Sequence, residues 1–167
     1  MAAITMQKIK LPSAQQLKQD FPTLTFVADV EFFWSANSNT IHYNPDTLNT
    51  RHGTSQLLHE IGHALCQHTT FSSGIQLLKL ESDAWEKAIE IAKKYQLTID
   101  TEHVEQCLNS YRDWLHQRST CPNCNNVAVE TEAHVYKCFN CSQRWKVPIS
   151  QKSRCYRLKQ SQATYEK

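Results

Sequence analysis

The five residues His59-Glu60-Ile61-Gly62-His63 set the chemical question. Histidines four apart fall about 40° from each other around a helix, so both imidazoles leave from one face. Leu57, Leu58, Ile61, Ala64 and Leu65 fall on the opposite face and supply the packing side. Two neutral imidazoles so placed can share a zinc ion, and Glu60 between them can reach a water on that ion. A zinc with three protein ligands keeps a position for water and lowers its pKa to about 7. Glu60 is then the expected general base, returning the proton to the leaving amine.

Such a zinc needs a third protein ligand. After His63 the chain reads ALCQHTTF, with no histidine at the spacing of a longer zinc motif. On a helix continued to His68, that residue points away from His59. The next helical stretch, LLKLESDAWEKAIEIA, carries Glu81 in the middle of its apolar stripe, near Leu77, Ala84 and Ala88. A carboxylate there is costly unless it is paired or binds metal. Glu81 is the expected third ligand. Asp83, off the stripe, is the second choice. No residue stands out for stabilising an oxyanion, although His42, Tyr43, Tyr111 and Arg112 are available.

Cysteines supply a second site. Cys121-Pro-Asn-Cys124 and Cys138-Phe-Asn-Cys141 stand 13 residues apart. Each CxxC makes a tight turn whose amides support thiolates, and two such turns close a tetrahedral four-sulfur zinc site. VAVE, HVYK and RWKV read as three short strands around it, a zinc ribbon. This zinc is structural, because so small a module cannot fold on its core alone. Cys66, Cys107 and Cys155 read as ordinary thiols. Seven cysteines, four of them in CxxC pairs, indicate metal ligands in a reducing compartment rather than a disulfide frame.

HEIGHALC followed by ESDAWEKA at 81–88 resembles the gluzincin metallopeptidases, whose HExxH helix is completed by a glutamate on the next helix. Within them the ImmA/IrrE-like proteins of bacteria and phages are similar over about residues 24–95. There a strand ending in aromatic-Asn precedes HELGH and ExEA, as TIHYN, HEIGH and ESDA stand here. The resemblance implies a cytoplasmic endopeptidase with zinc on His59, His63 and Glu81 and with Glu60 as base. It departs at Asp83, where a second Glu is usual. The added ribbon is similar to that of SprT-like proteins, which complete their zinc with a third histidine absent here.

The elements that must position these residues are legible in outline. Ser13 caps a short helix to about Asp20. LTFVADVEFFW and TIHYN form a short antiparallel hairpin or meander. Thr54 or Ser55 caps the HEIGH helix, which runs to about His68. A helix follows from about Ile75 to Tyr95, then another from Asp100 or Thr101 to about Arg118. Only 3 glycines and 5 prolines in 167 residues argue against a large all-β or disordered chain. The N-terminus lacks the apolar run of a signal peptide, and no stretch is apolar enough to span a membrane.

The expected architecture is α+β: a small zincin-like domain at 1–118 (a short antiparallel sheet with the HExxH helix and those after it), a four-cysteine zinc ribbon at 119–149 and a basic polar tail at 150–167. The ions are two Zn2+, one catalytic and one structural. Residues 1–118 hold 10 Lys and Arg against 13 Asp and Glu, a net of −3. Residues 119–167 hold 8 against 3, a net of +5. That asymmetry makes nucleic acid a candidate partner through Arg144, Lys146 and Arg154. The leading expectation is a cytoplasmic zinc metallopeptidase acting on a protein or peptide. The alternatives are a nucleic-acid- or protein-binding ribbon protein whose HExxH site is structural or inactive, and a zinc hydrolase of a non-peptide amide.

Overall fold

The computed structural model describes residues 11–150 and 153–160. The first ten residues, and residues 151–152 and 161–167 of the expected tail, lie outside them. The chain forms two compact units. Among the described residues, one comprises 11–70 and 80–104, the other 71–79, 105–150 and 153–160.

The first unit opens with α1 (Ala14–Asp20), whose N-terminus is capped by the Ser13 hydroxyl accepting from the Gln16 amide at 3.2 Å. Strands β1 (Thr25–Ala28), β2 (Phe33–Ser35) and β3 (Thr40–Tyr43) form one sheet in the order β1-β3-β2. The expected antiparallel sheet is thus mixed: β3 pairs with β2 antiparallel but with β1 parallel. The reason lies between β1 and β2. The Asp29 carboxylate accepts from the Val30 amide at 2.6 Å and meets His42 Nδ1 at 3.0 Å, while Asn44 Nδ2 donates to the Val30 carbonyl at 2.9 Å. These bonds carry the chain across the end of β3 instead of back along β1.

Helix α2 (Arg51–Leu65) carries the two histidines. It starts earlier than expected, because Thr50 is the cap: its hydroxyl accepts from the Gly53 amide at 2.9 Å. Thr54 instead donates to the Leu48 carbonyl, and Ser55 to the Arg51 carbonyl. It also ends earlier than expected. Cys66 closes it and Gln67 turns left-handed at φ 55°, so His68 does not continue the helical face. Leu57, Leu58 and Ile61 are fully buried beneath it.

Helix α3 (Gly74–Lys94) and helix α4 (Thr101–Ser119) each run from one unit into the other. In the first unit α3 buries Ala84, Trp85, Ala88, Ile91 and Ala92. It meets α2 closely at Gly62, where a Cβ would stand 2.4 Å from the Ala84 carbonyl oxygen. Only glycine permits that spacing. Tyr95 ties the end of α3 to α1 through a 2.6 Å bond to Asp20.

The second unit is built on a four-stranded antiparallel sheet, β4 (Val129–Glu132), β5 (Val135–Lys137), β6 (Arg144–Lys146) and β7 (Leu158–Gln160), in that order. Strand β7 lies in the segment expected to be tail. The end of α4, just before the boundary expected at 118/119, is built into this core. Arg118 is fully buried. Its guanidinium donates to the Pro148 carbonyl and to His134 Nδ1, and lies 4.1 Å from the Trp114 ring centre. Its own carbonyl accepts from Trp145 Nε1 at 2.9 Å. Among the described residues, no helix is long and apolar enough to cross a membrane.

Gly62→Ala tests the helix contact. The added methyl must push α2 and α3 apart, and overpacking of this kind costs about 1–3 kcal/mol. Urea unfolding should show that loss, and metal retention by His59, His63 and Glu81 should fall with it.

Candidate metal centres

On α2 the two imidazoles project side by side, with their Nε2 atoms 3.1 Å apart. From α3 the Glu81 carboxylate reaches both: its Oε2 lies 3.2 Å from His59 Nε2 and 3.6 Å from His63 Nε2. These three residues form one group able to hold a metal ion. Zinc bonds of about 2.0–2.1 Å place tetrahedral N and O ligands about 3.3 Å apart, so the donor spacing fits that ion. Asp83 is not in the group. Burial alone would push the Glu81 carboxyl up, but hydrogen bonds and charge from the two imidazoles prevail and hold it at about 2. It is an anion poised toward two nitrogen donors.

Glu60 is buried next to this group. Burial raises its pKa against the opposing influence of His59 and His63, and the Glu81 charge adds to the rise. Its carboxylate accepts from the Trp34 backbone N–H in β2. The Trp34 indole in turn donates to the His68 carbonyl at 2.9 Å. His68 Nδ1 lies 2.8 Å from His63 Nδ1. A His63 that binds metal through Nε2 carries its proton on Nδ1 and donates it to His68, which fixes ring and tautomer together. Burial lowers the His68 pKa, and His63 lowers it further, which suits a neutral acceptor.

Sequence reasoning gave His68 no such role. Its position depends on the left-handed Gln67, and no glycine or asparagine at that place marks the helix end in the sequence. The ring of Trp85 lies 4.2 Å from that of His59, closing the inner wall. His59 Nδ1 is buried with no hydrogen-bond partner among the described residues. His52 packs edge-on to His103 and is outside the donor group. Cys66, half-buried, has its sulfur 4.0 Å from the Asp83 carbonyl, and burial raises its thiol pKa. Of the oxyanion candidates, His42 stacks on Phe33 at 4.0 Å, Tyr43 is buried, and Arg112 is tied to Glu105 and Asn109.

In the second unit Cys121, Cys124, Cys138 and Cys141 form the other group able to hold a metal ion. Sulfur pairs 121–141 and 124–138 are each 3.5 Å apart. Zinc–sulfur bonds of about 2.3 Å imply an edge of about 3.8 Å, close to this. The two CxxC turns are built alike. Asn125 and Ser142, each following the second cysteine of its pair, are left-handed at φ 61° and 60°. The Asn140 side chain, followed by the Asn126 amide, lowers the Cys124 thiol to about 6, and the Gln143 amide lowers that of Cys141. Burial pushes Cys121 up to about 11. Beneath the cluster, Tyr136, Trp145, Val147 and Ala128 complete the small core.

Arg144 and Lys146 sit on β6, but Arg154 lines a recess with Ser110, Asp113 and Trp114 at α4. Arg144 is paired with Glu132 at 2.7 Å.

No protein-family model, curated protein or solved structure matches the chain.

Elemental analysis of the purified chain should give two zinc ions per molecule, and Glu81→Ala should give one. His68→Phe keeps the bulk but removes the acceptor for His63. It should weaken metal retention at the histidine pair about 10–100-fold in chelator competition and leave the cysteine site unchanged.

Proposed function

We propose that the chain is a zinc-dependent metallopeptidase that hydrolyses peptide bonds of a protein or peptide substrate. The observation that carries this reading is Glu60: a buried carboxylate of raised pKa, held by the Trp34 amide next to three converging donors. A closed structural site has no use for such a group, and no fourth protein donor joins His59, His63 and Glu81 among the described residues. The resemblance of HEIGH and ESDA to gluzincins points the same way.

Zinc bound there would supply a Lewis acid and an activated water near neutral pH. The chain's own residues provide the rest. His59, His63 and Glu81 hold the ion, and the Trp85 ring walls off one side. Glu60 accepts a proton at its carboxylate and returns it to the leaving nitrogen. The Trp34 amide keeps the carboxylate in place. His68 holds the His63 ring in one orientation.

A peptide fits this reading better than a small amide because β2 is an edge strand of its sheet. An extended chain can add to such an edge through main-chain hydrogen bonds.

Glu60→Gln separates chemistry from metal binding. The variant should keep two zinc ions per chain but lose at least about 100-fold in the cleavage rate of an unfolded protein or a mixed peptide library. Cleavage that persists in Glu60→Gln, or wild type that retains zinc yet cleaves nothing, would sink the peptidase assignment.

A further inference from the structure

The sheet of the second unit has two unlike faces. Tyr136 and Trp145 are register partners on β5 and β6, buried and stacked at 5.7 Å on the inner face. Of their chain neighbours, Lys137, Arg144 and Lys146 lie on the other face, where Val135, the register partner of Lys146, is buried. Lys137 is paired with Arg144 across the two strands, and Lys146 lies two residues further along β6 on the same side. Beyond the end of β5, Phe139 is 72 % exposed, and the Lys137 ammonium stands 5.8 Å from its ring centre. Phe139 lies between Cys138 and Cys141, so the cysteine cluster fixes its backbone.

We propose that this other face binds single-stranded nucleic acid, with Phe139 as a stacking platform and Lys137, Arg144 and Lys146 on the phosphates. An aromatic ring this exposed, on a rigid turn and flanked by cations, matches what an unpaired base and its backbone require. Duplex DNA fits less well, because its bases are already stacked on one another and leave an exposed ring no partner. Glu132 opposes binding by holding Arg144, but an exposed ion pair of this kind is weak and a phosphate competes for the same guanidinium. The excess of 8 Lys and Arg over 3 Asp and Glu in residues 119–167 adds long-range attraction.

The test is fluorescence anisotropy of a labelled oligothymidylate with the full, zinc-loaded chain. Three phosphate contacts give a log–log salt slope of about −2. Lys146→Gln should reduce that slope by about 0.7. Phe139→Ala should weaken binding about tenfold at constant salt with the slope unchanged, and Phe139→Tyr should restore it. Glu132→Gln should tighten binding by freeing Arg144. Lys93→Gln, the same charge change on α3, serves as control. Zinc content verifies that each variant retains its ribbon.

Absence of binding at low salt overturns the proposal. So does binding that Phe139→Ala and Lys146→Gln weaken no more than Lys93→Gln does. Equal affinity for a duplex, or equal competition by polyglutamate, would reduce the face to a general polyanion or protein surface and overturn it too. None of these outcomes depends on whether the histidine site cleaves peptides.

Discussion

The backbone contact between Gly62 and Ala84 governs the histidine centre. Glu81 is three residues before Ala84 on α3, and His59 and His63 flank Gly62 on α2. A carboxylate side chain is short, so it meets both imidazoles only if the helix axes come close. The missing Cβ at Gly62 permits that approach. Other features refine a geometry already set there: Trp85 covers the His59 ring, His68 holds the far nitrogen of His63, and Trp34 holds Glu60. Gly53 has a similar place at the start of α2, where a Cβ would stand 2.1 Å from the Thr47 carbonyl oxygen. Two of the three glycines in the chain thus seat one helix.

The two donor groups differ in what they leave over. Four thiolates would satisfy a tetrahedral ion completely, and such an ion would close the small core under the cysteines. Two imidazoles and one carboxylate do not saturate it. The neighbouring groups differ accordingly. Backbone amides and asparagine side chains surround the cysteines and stabilise negative sulfur. A second carboxylate, Glu60, and the His68 ring stand by the histidine centre.

Residues whose meaning lies in local spacing were legible in the sequence. The i, i+4 histidines, the glutamate on the apolar stripe of α3 and the paired CxxC turns each follow a short-range rule, and each maps onto a group of converging donors. What could not be read depends on distant partners. Strand β3 lies between β1 and β2 because Asp29 and Asn44 steer the connection, and no pattern of apolar residues encodes that choice. His68 was misplaced because the helix ends on a left-handed glutamine. Arg118 was read only as the place where a helix ends, yet it is wholly buried and bonded to residues 134 and 148. Strand β7 was missed because Leu158-Lys159-Gln160 has little β character apart from its partner β6.

The chain passes between its two units three times, at residues 70/71, 79/80 and 104/105. During synthesis the ribosome delivers the first unit entire by Val104, along with one stray segment, 71–79, whose partners follow. All three donors of the histidine centre are therefore translated before the first ribbon cysteine. Thiolates bind zinc more avidly than a mixed nitrogen and oxygen set, so in a finished chain a scarce ion would go first to the ribbon. Along the chain, then, the donors of the histidine centre are complete before those of the ribbon begin, and the two groups arise one after the other rather than together.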